Sequence, residues 1–161
     1  MATVHDEADS DGDAALALDV IESGRYLVLA TAAADGSPWP TPVWYARSGR
    51  EFFWVSRSDT RHSDNVRLRG QVSFVIFETP VPPQGRTHAV YAEAIAAEVP
   101  AEDLERCLAT YEHRARAEGL GGWTIERVVA PAAMRLYRAV AARIFVLHPD
   151  RDIRREVEID L

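Results

Sequence analysis

The fold class is decided by residues 29–45, which read LATAAADGSPWPTPVWY. The first part of this stretch is an apolar, strand-like run that ends at Asp35 and Gly36, a pair that favours a tight hairpin turn. The returning run carries Pro40 and Pro42, which suit the beginning of a strand or a sheet edge because proline cannot donate to a central ladder. Residues 29–45 therefore predict an antiparallel β-hairpin with one edge free of ordinary pairing.

Further strands and helices follow along the chain. Strands are predicted at residues 25–33, 40–47, 51–56, 71–78, 87–99, 134–139 and 143–148, and helices at residues 14–22, 100–118 and 124–129. Predicted turns recur about every ten residues, and most of the predicted helices lie in the second half of the chain. This pattern favours an antiparallel barrel over a parallel doubly wound sheet. The expected fold is mainly β with helices, with a barrel of about six antiparallel strands. Residues 1–13 are predicted to form an acidic disordered tail, and residues 14–161 a single domain.

The composition excludes several classes of function. The formal net charge is −7 and all 18 basic residues are arginine, whereas nucleic-acid binders carry clustered positive charge. No apolar run approaches the roughly 18 residues of a membrane span, and the acidic amino terminus lacks a signal-peptide pattern, so a cytoplasmic protein is expected. The single cysteine, Cys107, excludes an internal disulfide and is predicted to pack in the core. The five histidines show no metal-ligand spacing, so no metal site is predicted.

A polar loop at residues 54–65, WVSRSDTRHSDN, has the composition of an anion site. It leaves an aromatic strand and reaches the expected start of a helix after Thr60, and it offers hydroxyl, guanidinium, imidazole and amide donors. Phosphate favours this combination of helix-terminal amides and a bidentate arginine. The alternative is a solvated loop in which Asp59 and Asp64 pair with the neighbouring arginines.

Aromatic residues cluster in the two strands beside this loop. They are Trp44, Tyr45, Phe52, Phe53 and Trp54. A flat aromatic cofactor needs such an apolar wall, together with backbone donors and acceptors along a strand edge. The alternative is that the same residues are ordinary core packing.

The order of these motifs resembles a known family. The segments LATAAADGSPWPTPVWY, EFFWVSRSDTRHSDNV and QVSFVIFE are similar to the flavin-binding core of the pyridoxamine 5'-phosphate oxidase-like split-barrel family. In that family an L-A-T strand and a D-G-x-P hairpin precede a strand along the flavin ring. An aromatic strand ending in a hydroxyl residue follows, and then a loop whose Arg or Lys grips the flavin phosphate. The resemblance implies a split β-barrel of the FMN-binding type.

The resemblance also implies cofactor contacts at the matched positions. Backbone atoms of residues 41–44 would line the isoalloxazine ring, residues 54–56 would lie beside the ring and the ribityl chain, and Arg61 would bind the phosphate. His88 falls close to a position where some relatives supply a polar contact from the neighbouring subunit. The implied cofactor-binding residues are Thr41, Pro42, Val43, Trp44, Trp54, Val55, Ser56, Arg61, His62, Ser63, Asn65 and His88.

The implied function is that of a flavin-dependent oxidoreductase. It would bind FMN and transfer hydride to or from a small organic substrate or a nicotinamide. No catalytic residue is assigned, because the flavin does the redox chemistry. The family also implies a homodimer with the cofactor at the interface. Ala46 stands where the oxidase itself has a substrate-facing lysine, so pyridoxamine phosphate is not the expected substrate.

Other functions of the same fold remain open. Some members of the family bind the 5-deazaflavin coenzyme in place of FMN. Its acidic tail would need a groove of positive residues, which could be built from Arg57, Arg61, Arg67 and Arg69. The remaining alternatives are a non-catalytic binder of flavin or haem and a structural domain that has lost its cofactor.

Overall fold

The computed structural model of the protein describes residues 5–77, 88–147 and 153–159. The helices are α1 (His5–Ser23), α2 (Arg61–Leu68), α3 (Leu104–Ala117) and α4 (Ile125–Val128). The strands are β1 (Tyr26–Ala32), β2 (Pro38–Trp44), β3 (Ala46–Ser48), β4 (Glu51–Arg57), β5 (Gln71–Phe77), β6 (Ala89–Glu98), β7 (Met134–Leu147) and β8 (Arg154–Glu156). Three predicted strand ends, at residues 78, 87 and 148, and the first four residues of the predicted tail lie outside the described residues.

A single antiparallel sheet of eight strands carries the fold. Its order is β2-β1-β5-β6-β7-β4-β3, and β8 pairs with β7. β2 stands at one end of this order and β4 next to the other end, yet the two strands are in contact. The sheet therefore curls on itself, and the prediction of a mainly β split barrel with a few helices is confirmed.

The sheet has eight strands where about six were expected, and its strands differ from the sequence prediction in three details. β3 and β8 are three residues long, which is too short for an alternating pattern to be recognised. The closing segment, predicted as two strands, is the single strand β7. Its pairing with β6 shifts register between Glu93 and Ala94, so that Ala142 is the extra residue of a bulge and not part of a turn.

The first helix is longer than its apolar spacing predicts. α1 begins at His5, whereas the sequence predicts a helix from residue 14 and a disordered tail before it. Asp13, the last residue of the predicted tail, is buried and forms an ion pair with Arg155 of β8. The other predicted helices are present as α3 and α4.

Two apolar clusters hold the barrel and its helices together. The inner cluster fills the barrel and includes Tyr45, Phe52 and Trp54. The outer cluster packs α3 and α4 against β3 and β4, and it contains Phe53 and Cys107. Cys107 is fully buried, which confirms its predicted packing role. None of the described helices is long and apolar enough to cross a membrane.

Candidate functional site

The outer edge of β2 is built largely from proline. Among the described strands β2 pairs with β1 alone. The Tyr45 amide donates to the Arg25 carbonyl at 3.4 Å. The odd-numbered residues of β2 therefore direct their backbone N–H and C=O groups towards β1. Because these groups alternate along a strand, Pro38, Pro40 and Pro42 direct their carbonyls to the free edge. This edge therefore offers several hydrogen-bond acceptors and, within β2, a single amide donor at Trp44.

α2 begins where β4 ends, and hydroxyl groups close the junction. Thr60 caps the helix, since its Oγ1 accepts a hydrogen bond from the Ser63 amide at 3.4 Å. Ser63 Oγ donates to the Arg57 carbonyl at 2.8 Å, and His62 Nε2 lies 2.9 Å from Ser56 Oγ. Threonine is a favoured N-cap residue, which is why the helix starts here. The amides of the first two helical residues have no partner inside the helix.

Arg61 is an available cation in this region. Its side chain is exposed, and within the described residues it has no ion-pair or hydrogen-bond partner. Arg57, in contrast, donates two hydrogen bonds of 2.9 and 2.8 Å to Asp59, and Arg67 pairs with Asp64 at 2.5 Å. The solvated-loop alternative is therefore right for Arg57 and Arg67, and it does not account for Arg61.

A buried chain of hydrogen bonds ties α2 to the β1–β2 hairpin. Asn65 Nδ2 donates to Thr31 Oγ1 at 2.9 Å, and Thr31 Oγ1 donates to the Trp39 carbonyl at 3.1 Å. Arg61 consequently lies over the Trp39 indole, with its guanidinium carbon 4.3 Å from the ring centroid. Sequence reasoning missed Thr31 and Trp39. No local pattern indicates Thr31, because its partner is 34 residues away.

The predicted site residues of α2 are mostly engaged within the protein. His62, Ser63 and Asn65 are all less than a tenth exposed. Each has a partner from the chain itself: Ser56 for His62, the Arg57 carbonyl for Ser63 and Thr31 for Asn65. Their contact with a cofactor stays a prediction, while their structural role is to hold the start of α2 in place.

Most of the aromatic residues predicted to form a wall belong to the core. Tyr45, Phe52, Phe53 and Trp54 are fully buried. Trp54 stacks on Tyr137, with ring centroids 5.6 Å apart and an interplanar angle of 15°. The core interpretation is therefore right for these four residues. Trp54 has no exposed surface within one chain, and its contact with a cofactor stays a prediction.

Trp44 differs from the other four because it is half-buried at the side of the barrel. Its Nε1 donates to Glu118 at 3.1 Å, and its ring meets Tyr111 edge to face with centroids 5.1 Å apart. α3 thus fixes the Trp44 indole while the backbone of Trp44 stays on the free edge of β2. Val55, from the neighbouring strand, packs against the same outer cluster.

Thr41 carries a buried polar atom without a partner. Its Oγ1 makes no hydrogen bond to any described residue. The side chain lies on the same face of β2 as Val43, which is part of the inner cluster. Leaving a buried hydroxyl unpaired costs about 1–3 kcal/mol, so this position favours a polar atom supplied by a ligand or by water.

His88 does not join the other predicted residues within one chain. It directly precedes β6. At the opposite end of that strand, Ala97 and Glu98 lie close to α2, because they line a cavity of about 260 Å³ together with Ser63 and Arg67. Nine residues of extended strand span roughly 30 Å. The structure therefore brings together β2, the end of β4 and the start of α2, and it leaves His88 apart from them.

The stability of the protein is expected to depend on pH through His62. Burial lowers the pKa of the His62 imidazole below its ordinary range, whereas in the unfolded chain the pKa is about 6.5. Protonation therefore favours the unfolded chain, so the contribution is complete above about pH 6.5 and is lost as the pH falls through the folded pKa. Urea unfolding at pH 7.5 and 5.5 measures this loss.

His62→Gln is expected to reduce the difference in unfolding free energy between these two pH values. His113→Gln, on the exposed face of α3, leaves His62 in place and serves as the matched control. An unchanged pH difference in His62→Gln would show that another group is responsible.

The outer face of the sheet carries an apolar surface that sequence reasoning did not find. Val28 lines two cavities there, of about 520 and 490 Å³. Tyr91 and Phe145 line the first cavity, and Tyr26 and Phe77 line the second. Tyr26 and Phe77 are 59% and 46% exposed. Charged residues, namely Glu93, Arg143 and Arg154, also line the first cavity.

Solved structures show the same architecture. A haem-binding protein from Mycobacterium smegmatis matches 89% of this chain with a TM-score of 0.71 and 15% identity. This chain spans only 57% of that protein's length. An FAD-binding protein from Mesorhizobium loti matches 80% of this chain and 88% of its own, with a TM-score of 0.62 and 16% identity. A conserved hypothetical protein from Mycobacterium tuberculosis matches 88% of this chain and 83% of its own, with a TM-score of 0.59 and 26% identity.

Sequence comparison gives the family. A search of curated proteins found no match. The family model described as pyridoxamine 5'-phosphate oxidase matches residues 15–146, which include β1, β2, β4 and α2 and therefore the whole candidate site. The chain belongs to the pyridoxamine 5'-phosphate oxidase-like family of split-barrel proteins.

Proposed function

We propose that this protein binds FMN between the free edge of β2 and the first turn of α2. We further propose that it transfers hydride between the bound flavin and a small organic substrate or a nicotinamide. The observation that carries the proposal is Arg61, an exposed arginine with no ion-pair partner in the described chain, placed at the start of a capped helix. Family membership and the FAD-binding relative of the same fold support a flavin as the ligand.

The phosphate of FMN matches what the start of α2 offers. An arginine binds phosphate through two parallel N–H donors, and free first-turn amides with the positive end of the helix dipole add to the attraction. The longer acidic tail of the 5-deazaflavin coenzyme would need several free cations. Arg57 and Arg67 are already paired with Asp59 and Asp64, and Arg69 lies at the carboxyl end of α2, at the opposite end of the helix from Arg61. The local charge therefore favours a single phosphate group, and with it FMN.

The free edge of β2 suits a flavin ring better than haem. The imide N–H of an isoalloxazine needs an acceptor, which a carbonyl of Pro40 or Pro42 would supply. The periphery of haem carries no such donor, and its propionates would be repelled by the same carbonyls. Thr41 Oγ1 is a further buried atom that gains a partner from a polar ligand. Thr41, Pro42, Val43 and Trp44 are thus the residues that would hold the ring.

The protein contributes binding and orientation, and the flavin, when bound, supplies the two-electron redox chemistry. The Trp44 backbone N–H is the donor that β2 can direct at the ring. α3 keeps this strand end in place through the bond from the Trp44 indole to Glu118. Val43, 7% exposed, closes the barrel side of the site to water. These contacts fix which face of the ring a substrate can approach.

Titration of the purified protein with FMN, the 5-deazaflavin coenzyme and haemin tests the proposal. We expect FMN to bind with the highest affinity, with quenching of its fluorescence, and the bound flavin to be reduced by a nicotinamide or an organic donor under anaerobic conditions. Tight binding of haemin without binding of FMN would replace the proposal with a haem-binding function. Binding of FMN without reduction by any donor would support the proposed binding site and contradict the proposed oxidoreductase activity.

We also propose that a second copy of the chain covers the outer face around Val28. The two cavities and the exposed rings of Tyr26 and Phe77 form an apolar surface that a partner would cover, and the family resemblance implies a homodimer. Sedimentation should give about twice the 17.9 kDa of the chain, and Val28→Glu should shift the protein towards monomer. A wild-type protein that sediments at 17.9 kDa would contradict the dimer.

A further inference from the structure

The contact between Arg61 and Trp39 is a defined feature of the candidate site. The guanidinium carbon of Arg61 lies 4.3 Å from the centroid of the Trp39 ring. At this distance a cation is attracted by the ring face. Trp39 keeps 39% of its surface exposed, so the pair lies at the protein surface, where a ligand can reach it.

Both partners of this contact are anchored by the buried chain that joins Asn65, Thr31 and the Trp39 carbonyl. Asn65 lies one helical turn after Arg61 on α2, and Thr31 lies opposite Trp39 in the β1–β2 pair. Thr31 and Asn65 are 4% and 3% exposed, so the bonds between them are shielded from water. The separation between the start of α2 and the ring of Trp39 is therefore set by the fold.

Asp35 is an acidic group whose pKa is affected by the charge of Arg61, and its carboxylate is bonded elsewhere. Its Oδ1 accepts a hydrogen bond from the Ser37 amide at 2.9 Å. Hydrogen bonds from Ser37 are the main reason why the pKa of the Asp35 carboxyl lies below its ordinary range, and the charge of Arg61 contributes least. Arg61 thus contacts the face of an aromatic ring and forms no ion pair with this carboxylate.

We propose that Trp39 is a positioning residue for Arg61, and that it holds the guanidinium ready to bind the phosphate of the flavin nucleotide. The contact engages the ring face, and none of the guanidinium N–H groups bonds to a described residue, so these donors are left for two bonds to phosphate oxygens. It also restricts a long side chain before the ligand arrives, which lowers the entropic cost of binding. The proposal rests on the FMN site proposed above.

The test compares FMN with riboflavin, which has the same ring and no phosphate. Affinities of both ligands are measured by fluorescence titration for the wild type, Trp39→Ala, Trp39→Phe, Arg61→Ala and the double variant Trp39→Ala/Arg61→Ala. Circular dichroism checks that each variant is folded. Trp39→Ala is expected to weaken FMN binding roughly twofold to thirtyfold, which corresponds to the usual range of a cation–aromatic contact. Riboflavin affinity is expected to be unchanged, and Trp39→Phe to retain most of the FMN affinity.

The double variant separates positioning from other roles. If Trp39 acts through Arg61, adding Trp39→Ala to Arg61→Ala causes no further loss of FMN affinity. Equal losses for FMN and riboflavin, or losses that add in the double variant, would overturn the inference and place Trp39 against the ligand itself. A loss in Arg61→Ala with none in Trp39→Ala would overturn it while leaving the FMN site intact. If the ratio of FMN affinity to riboflavin affinity is unchanged in Arg61→Ala, both the proposed phosphate site and the inference about Trp39 are contradicted.

Discussion

Replacing Arg61 with alanine is expected to weaken FMN binding by about 1.5–3 kcal/mol, the usual contribution of hydrogen bonds to a charged group. This corresponds to roughly a 10- to 150-fold increase in the dissociation constant. The loss is large because the chain contains no lysine and the neighbouring Arg57 is held by Asp59. No nearby paired arginine can replace the missing guanidinium without first breaking its own ion pair.

A matched variant on the same helix controls for the change in net charge. Arg67→Ala also removes one exposed arginine from α2, but Arg67 lies in the last turn of the helix and is already paired with Asp64. We expect its FMN affinity to remain within about twofold of the wild type. Similar losses in both variants would indicate a general effect of charge. An unchanged affinity in Arg61→Ala would place the phosphate elsewhere.

Trp54→Ala is expected to lower the free energy of unfolding by about 3–5 kcal/mol. Trp54 has no exposed surface and stacks on Tyr137 inside the barrel. Its Nε1 has no hydrogen-bond partner among the described residues, so the variant loses packing and no hydrogen bond from this ring. β4 is paired with β7 along its whole length, which limits how far the barrel wall can collapse into the space left by the indole.

Trp39→Ala is the matched control for this prediction. The same side chain is removed at a position that is 39% exposed, and the expected loss is at most about 1 kcal/mol. Urea unfolding followed by circular dichroism measures both variants at pH 7.5, where the contribution of His62 is complete. A loss below about 1 kcal/mol for Trp54→Ala would contradict its core role. The side chain would then again be a candidate for contact with the flavin.

The hairpin and the start of α2 were predictable because their signals are local. Asp35 accepts from the Ser37 amide, and Gly36 adopts a φ of 86°, a conformation that favours glycine. Thr60 caps α2 through its own side chain. Each of these structures depends on residues within three positions of each other. The proline-rich free edge of β2 follows from equally local chemistry, since proline lacks an amide proton.

The burial of β4 was not predictable, because both of its faces are covered. Phe52 and Trp54 point into the barrel, while Phe53 points towards α3. A strand buried on both faces shows no alternation between apolar and polar residues. From the sequence alone, the same run fits a cofactor wall and a core equally well. Only the position of α3, which is distant in sequence, decides between them.

Contacts between distant segments account for the other differences. Asn65 resembles a ligand-binding amide in its loop, yet its partner is Thr31 in β1. The bulge at Ala142 depends on the register of β6, and no turn residue marks it. The contact between Trp39 and Arg61 depends on the packing of α2 over the β1–β2 hairpin. Each of these features is set by tertiary packing and not by local propensity.

A crystal structure of the protein with bound FMN tests the central claim most directly. We predict that the phosphate lies within hydrogen-bond distance of the Arg61 guanidinium and the first amides of α2. We also predict that the isoalloxazine ring lies along the free edge of β2, between Pro40 and Trp44. A flavin bound at another position, with its phosphate away from Arg61, would contradict this account even if the protein proved to be a flavoenzyme.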